Sequence, residues 1–142
     1  MTIAQALKAK NKKVASIAKI WGRIHAYNST VVGSEKPYDL DALWIEYTTA
    51  VHELIDLKTK IHAASAPVRR EIFALSELKS RVQSLRSLNT QSGIVRERFG
   101  SEPHEIKAHF DTLWKDHQIE SLESEIDSIQ EKLDSFNHST KL

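Results

Sequence analysis

Apolar side chains recur three and four positions apart in four long segments of this chain, with polar residues filling the positions between them. Ile3, Leu7, Val14, Ile17, Trp21 and Ile24 form the first stripe, and Leu40, Trp44, Tyr47, Val51, Leu54 and Ile61 form the second. Val68, Ile72, Leu75, Leu78, Val82, Leu85 and Leu88 form the third. The fourth is divided. Ile106, Phe110 and Leu113 share one phase, and Ile119, Leu122, Ile126, Ile129, Leu133 and Phe136 share another. A helix with such a stripe must bury it against other helices. The pattern therefore predicts an all-α fold: an antiparallel helical bundle of four or five long helices with coiled-coil-like packing, in a single domain over residues 1–142.

Residues at the stripe ends set the predicted boundaries. Thr2 caps a first helix that runs to Tyr27, and Asn28-Ser29-Thr30 ends it. Lys10 falls in the heptad series of Ile3, Ile17 and Ile24, a polar member that fixes register or snorkels outward. Asp39 or Asp41 caps the second helix, which extends to about Ala64. Pro67 suits the first turn of a third helix, where its missing N–H is not needed, and Gly93 closes that helix. Between Gly93 and Pro103 the helical period fails, which predicts an extended or hairpin-like excursion over Ile94-Val95-Arg96-Glu97-Arg98-Phe99, a short extended loop near 94–100 available to another subunit. The last helix is expected from Ser101–Pro103 onward, with the phase slip at Lys115–Gln118 marking a bend or a division into two helices.

At 142 residues, 40% hydrophobic and 27% charged, the chain has the composition of an ordinary globular domain with one core. It contains no Cys, which excludes disulfides, thiolate metal sites and cysteine nucleophiles and fits a reducing compartment. No segment reaches the ~18–20 apolar residues of a membrane span, and the start lacks the apolar core of a secretory signal, so a soluble, cytoplasmic protein is expected. The stripes are long and two-sided, with Trp21, Trp44 and Trp114 available, and exceed what one small subunit need bury. This predicts a homo-oligomer.

The net charge of +1 conceals a polarity. Six basic residues and no acid precede Glu35, whereas eight acids face three bases from Asp111 onward. A basic first helix beside an acidic last helix, in the same subunit or a neighbour, is the simplest expectation. A Lys-rich first helix serving as a membrane-surface or nucleic-acid patch is a less favoured one. The segment from Pro67 to Arg98 is also basic, with seven bases against three acids. Within it, Arg69, Arg70, Arg81, Arg86, Arg96 and Arg98 are candidate ligands for an anionic, nucleotide-like small molecule held at a subunit interface. Phe99, Trp21, Tyr27 or Tyr38 would stack on its base. The competing expectation is that these arginines pair with the acidic last helix and bind nothing. No recognition-helix turn or continuous basic stripe points to nucleic acid.

Other constellations are thin. His52-Glu53-Leu54-Ile55-Asp56 resembles a zinc-hydrolase helix with Asp in place of the second His, but Leu54 and Ile55 belong to the core stripe and no third ligand is spaced to join them. His104, His109 and His117 form another cluster, in which His109 and His117 stand two turns apart on the predicted helix and would share a metal only between subunits. There is no Gly-rich phosphate loop and no Gly-x-Ser-x-Gly nucleophile setting. No catalytic residue, cofactor or resident metal is expected.

Four stretches carry a resemblance to a known family. They are Met1-Thr2-Ile3-Ala4-Gln5-Ala6-Leu7, Glu53-Leu54-Ile55, Ala74-Leu75 to Leu85-Arg86, and the closing run Leu133-Asp134-Ser135-Phe136-Asn137-His138-Ser139-Thr140-Lys141-Leu142. Together they resemble the septicolysin-like family of small, mostly helical bacterial proteins, most without an assigned biochemical role. His62-Ala63-Ala64-Ser65-Ala66-Pro67 stands where that family tends to carry an Asn/Thr-rich turn, and His138 stands where it carries an aromatic. The resemblance implies a helical fold, and its cytolysin-derived name adds a membrane-active protein as a further alternative. From the residues themselves, the expected function is that of a non-enzymatic, oligomeric helical binding or interaction protein, with the nucleotide-like sequestrant as its first alternative.

Overall fold

The computed structural model describes residues 1–96, 100 and 102–142. Helices dominate: α1 (Ile3–Tyr27), α2 (Leu40–Ala64), α3 (Arg69–Arg86) and α4 (Thr112–Ser139), with a 3-10 turn at Ala66–Val68. Strands β1 (Gly93–Val95) and β2 (His104–Ile106) form a small antiparallel sheet in which Ile94 lies opposite Glu105. The chain divides into two compact units, one formed by Met1–Val68 with Asp134–Leu142 and the other by Arg69–Leu133.

The first unit is built on an antiparallel α1–α2 pair. Thr2 opens α1 through a capping box, its hydroxyl accepting from the Gln5 N–H while the Gln5 side chain accepts from the Thr2 N–H. Asp39 opens α2, its carboxylate accepting from the N–H groups of Asp41 and Ala42. The two helices meet along one repeat. On α1 it comprises Ile3, Ala6, Lys10, Lys13, Ile17, Ile20, Ile24 and Tyr27, and on α2 Leu40, Leu43, Tyr47, Ala50, Leu54, Leu57, Ile61 and Ala64, all buried or half-buried. The expected stripes need a correction here. Val14, Trp21 and Trp44, placed in the stripes on sequence grounds, are 46%, 47% and 51% exposed. Ala6, Ile20, Leu43 and Ala50, one position earlier in the repeat, take the buried places.

The far end of the chain closes the start of this unit. The Ile3 N–H donates to the Thr140 carbonyl at 2.9 Å and the Leu142 N–H to the Met1 carbonyl at 3.0 Å, with Thr2 bridged to Lys141. Ile3 is thereby the most deeply buried large side chain of the structure's described residues. Ser65 ends α2, and Pro67 occupies the 3-10 turn that leads into α3, so its lack of an N–H costs no helical hydrogen bond.

In the second unit α3 and α4 run antiparallel. Glu71 at the start of α3 is bound by Lys132 late in α4, and Arg86 at the end of α3 meets Glu123 at 2.6 Å. Val82, Leu122 and Leu133 are the buried side chains of these helices. Gly93 does not close α3, as expected, but begins β1 with a φ of +127°, a backbone that side-chain-bearing residues rarely adopt. The helix ends earlier, at Arg86, where Ser87 bonds back to the Ser84 carbonyl and the Asn89 side chain accepts from Gln91.

The extended or hairpin-like excursion begins as a strand paired at Gly93–Val95, and its positions 97–99 lie outside the described residues. The start of the last helix needs a correction, because the partner strand lies in the segment expected to begin it. That helix begins at Thr112, where the Asp111 carboxylate accepts from the Trp114 N–H at 2.8 Å. Ile106 is a strand residue and Phe110 precedes the helix, so the phase slip reflects a change of structure and α4 continues undivided to Ser139.

Lys132 donates to the Glu71 carboxylate and, as the largest cause, holds its pKa below the ordinary glutamate range. A depressed carboxyl pKa stabilises the fold above the unfolded value, and the contribution is lost as pH falls through the folded value. Glu71→Gln is therefore expected to lower the melting temperature at neutral pH, and the difference from the parent to vanish in acid, as followed by circular dichroism.

Candidate functional site

The α1–α2 pair has two unlike flanks. On one, Lys13, Ser16, Ile20, Glu46, Thr49, Ala50 and Glu53 line a shallow, mostly polar groove, and Lys13 is bound to Glu53. On the other, the residues one step past the seam are Leu7, Val14 and Trp21 from α1 and Trp44 and Val51 from α2. Trp21 and Trp44 line one cleft of about 500 Å³ with Ile24, His25, Asn28 and Ser29. Tyr47 joins the two indoles from the seam, with ring centres 5.4 Å from Trp21 and 5.5 Å from Trp44. Near the connecting loop, Tyr27 packs on Tyr38, whose other partner is the Arg23 guanidinium 4.7 Å from the ring centre. One flank of the hairpin is thus solvated by charge, and the other leaves large apolar side chains half in water.

The candidate arginines among the described residues do not gather at one place. Arg69 and Arg70 open α3 and Arg86 ends it, ~25 Å away at 1.5 Å per residue, so they cannot converge on one small ligand within a protomer. Arg81 and Arg86 are five residues apart, about 140° around the helix, and face different clefts. Arg86 lines a cleft of about 520 Å³ with Ser76, Lys79, Ser80, Gln83 and Glu123, but its guanidinium is bound to the Glu123 carboxylate that shares the cleft. This pair realises, at one position, the expected partnership of arginines with the acidic last helix. Arg96 follows β1 and is exposed, and Arg98 and Phe99 lie outside the described residues.

Arg81 faces a second cleft, of about 390 Å³, with Ser84, Leu85, Leu88, Phe110, Trp114 and Gln118. Phe110 and Trp114 stack with ring centres 4.0 Å apart and planes at 22°, and His109 meets the Phe110 edge at 4.6 Å. The walls are tied together. Lys115 donates to the carbonyls of Arg86 at 3.0 Å and Leu88 at 3.3 Å, capping the α3 end, while Thr90 and Thr112 hydroxyls bond at 3.1 Å. Arg81 is one of the arginines expected to bind an anion, but its aromatic neighbours are Phe110 and Trp114 rather than Trp21, Tyr27, Tyr38 or Phe99. The Phe110/Trp114 spacing of four residues was the available signal.

Glu53 of the His52–Asp56 run is engaged by Lys13, and His104 lies in β2, His109 in the following loop and His117 in α4. Among the described residues no three His, Asp or Glu side chains are grouped to hold a metal ion, and no helix is long and apolar enough to cross a membrane. Comparison with protein-family models, with curated proteins and with solved structures gives no match to this chain.

Proposed function

We propose that this chain is a non-enzymatic helical interaction protein of the cytoplasm that works as a homo-oligomer, its α1–α2 hairpins packing in a coiled-coil-like bundle between copies. The observation that carries the reading is the asymmetry of the hairpin. Leu7, Val14, Trp21, Trp44 and Val51 share one flank, and three of them are about half exposed although their intrachain seam is already filled. Large side chains left in that condition forgo roughly 25 cal/mol for each Å² of apolar surface that a partner would cover. A second copy supplies a matching surface, because a twofold axis brings the same patch to itself. The septicolysin-like resemblance agrees with a small, mostly helical protein, and we extend it to this chain as part of the same proposal.

The absence of native cysteine makes the flank testable by single thiols. Val14→Cys is expected to resist alkylation at near-millimolar protein and to react freely after dilution below the dissociation constant, whereas Ser16→Cys on the polar flank reacts freely throughout. Equal reactivity of the two thiols at every concentration would count against the assembly.

A further inference from the structure

We infer that the cleft between α3 and the start of α4 is a binding site for a small planar aromatic anion, a ring bearing one short negatively charged arm, of which a nucleoside monophosphate is a member. The inference concerns one protomer and stands or falls separately from self-assembly.

Three features converge on this ligand class. Leu85 and Leu88 give an apolar floor, and the stacked Phe110/Trp114 pair gives an aromatic wall, with Phe110 44% exposed rather than spent on the core. A planar ring laid against such a wall gains stacking beyond its burial. Secondly, the one charged side chain among the lining residues is Arg81, and no carboxylate lines the cleft with it. Among the described residues Arg81 forms no salt bridge, although Glu77 stands one turn earlier on the same helix. Its fork of donors is available for a phosphate or carboxylate. Ser84 and Gln118 add hydroxyl and amide groups on the same rim.

The third feature is preorganisation. Trp114 sits in the first turn of α4, where Asp111 fixes its N–H, and Lys115 and the Thr90–Thr112 bond hold the α3 end against that turn. Trp114 and Arg81 are carried by helices, and Phe110, two residues before α4, is held by its stacking on Trp114, which reduces the ordering cost of binding. The neighbouring cleft of about 520 Å³ lacks this logic, because Glu123 both neutralises Arg86 and would repel an anion. At about 390 Å³ the site lies at the small end of the ~300–1,000 Å³ typical of ligand pockets, which suits one ring system and one charged arm rather than a dinucleotide.

Calorimetric titration of the full chain with adenosine monophosphate, adenosine, inorganic phosphate and indole-3-acetate tests the inference. Adenosine monophosphate or indole-3-acetate is expected to bind, with adenosine and phosphate each at least tenfold weaker, and the preferred anion reports whether phosphate or carboxylate is the favoured arm. Arg81→Gln is expected to weaken the anion tenfold or more while leaving adenosine unchanged, and Trp114→Leu to weaken both. Phe110→Leu, outside α4, provides a second aromatic variant should Trp114→Leu fail to fold. Binding of neither aromatic anion at millimolar concentration would overturn the inference. So would wild-type affinity in folded Arg81→Gln and Phe110→Leu proteins, or phosphate binding as tightly as the aromatic anions.

Discussion

Glutamate at both Val14 and Trp21 is expected to leave a helical protein that no longer self-associates, with its dissociation constant raised on the order of 100-fold or more. Both side chains are about half exposed within the protomer, so the hairpin itself loses little. The loss of the Trp21–Tyr47 ring contact costs about 0.5–1.5 kcal/mol, small beside a seam of sixteen buried or half-buried positions. In an assembled flank the same changes would bury two carboxylates against apolar surface, a state reached only by neutralising them or by separating the subunits. Sedimentation velocity reads the mass and circular dichroism the helicity. Ser16→Lys, on the polar flank, should associate as the parent does. Retained association of a helical Val14→Glu/Trp21→Glu protein would mean that another surface holds the copies together.

Ile20→Ala should have the opposite character: it destabilises the fold at every protein concentration, by about 2–4 kcal/mol. Ile20 is 4% exposed and shares the α1–α2 seam with Leu43 and Ala50, at 7% and 8%. Removing three carbons there takes away transfer free energy and leaves a void that two helices cannot close without shifting along their length. Val14→Ala, six residues earlier on the other flank, should change the dilute protein by less than about 0.5 kcal/mol. Chemical denaturation of the pair at low and high concentration separates the two kinds of apolar position. A small effect at Ile20 would place the seam elsewhere.

The contrast between these residues explains how much of the fold the sequence carried. Both hairpin helices and the Thr2 cap were legible, the second cap was narrowed to Asp39 or Asp41, and Pro67 was placed at the entry to α3, because capping oxygens and a missing N–H act locally. Ile3, Ile17, Ile24, Leu40, Tyr47, Leu54 and Ile61 lie in the seam as the stripes place them, whereas Leu7, Val14, Trp21, Trp44 and Val51 stand one position past it. From Ile3, either Ala6, Lys13 and Ile20 or Leu7, Val14 and Trp21 continues a three-and-four spacing, and the second series holds the larger apolar side chains. The helices meet instead over small Ala6 and Ala50, and Lys13 turns its ammonium outward to Glu53. What appeared as one wide stripe is a filled seam with an apolar flank beside it.

The hairpin of β1 and β2 was half legible, since Ile94-Val95 reads as extended but His104-Glu105-Ile106 carries a helix-compatible phase until its partner strand is known. Arg81 and Arg86 were found as candidates by charge alone. Their assignment to different clefts follows from helical geometry, whereas the placement of Phe110 on Trp114 depends on the chain entering α4 at Asp111, a tertiary fact.

The central claim is that the Trp21/Trp44 flank is covered by another copy of the chain. Light scattering coupled to size exclusion, run on the unmodified protein from low micromolar to near-millimolar concentration, tests it most directly. The mass is expected to be a whole multiple of 16.2 kDa at the upper concentrations and to fall toward 16.2 kDa on dilution or with Val14→Glu/Trp21→Glu. A constant mass of 16.2 kDa over the full range would contradict it.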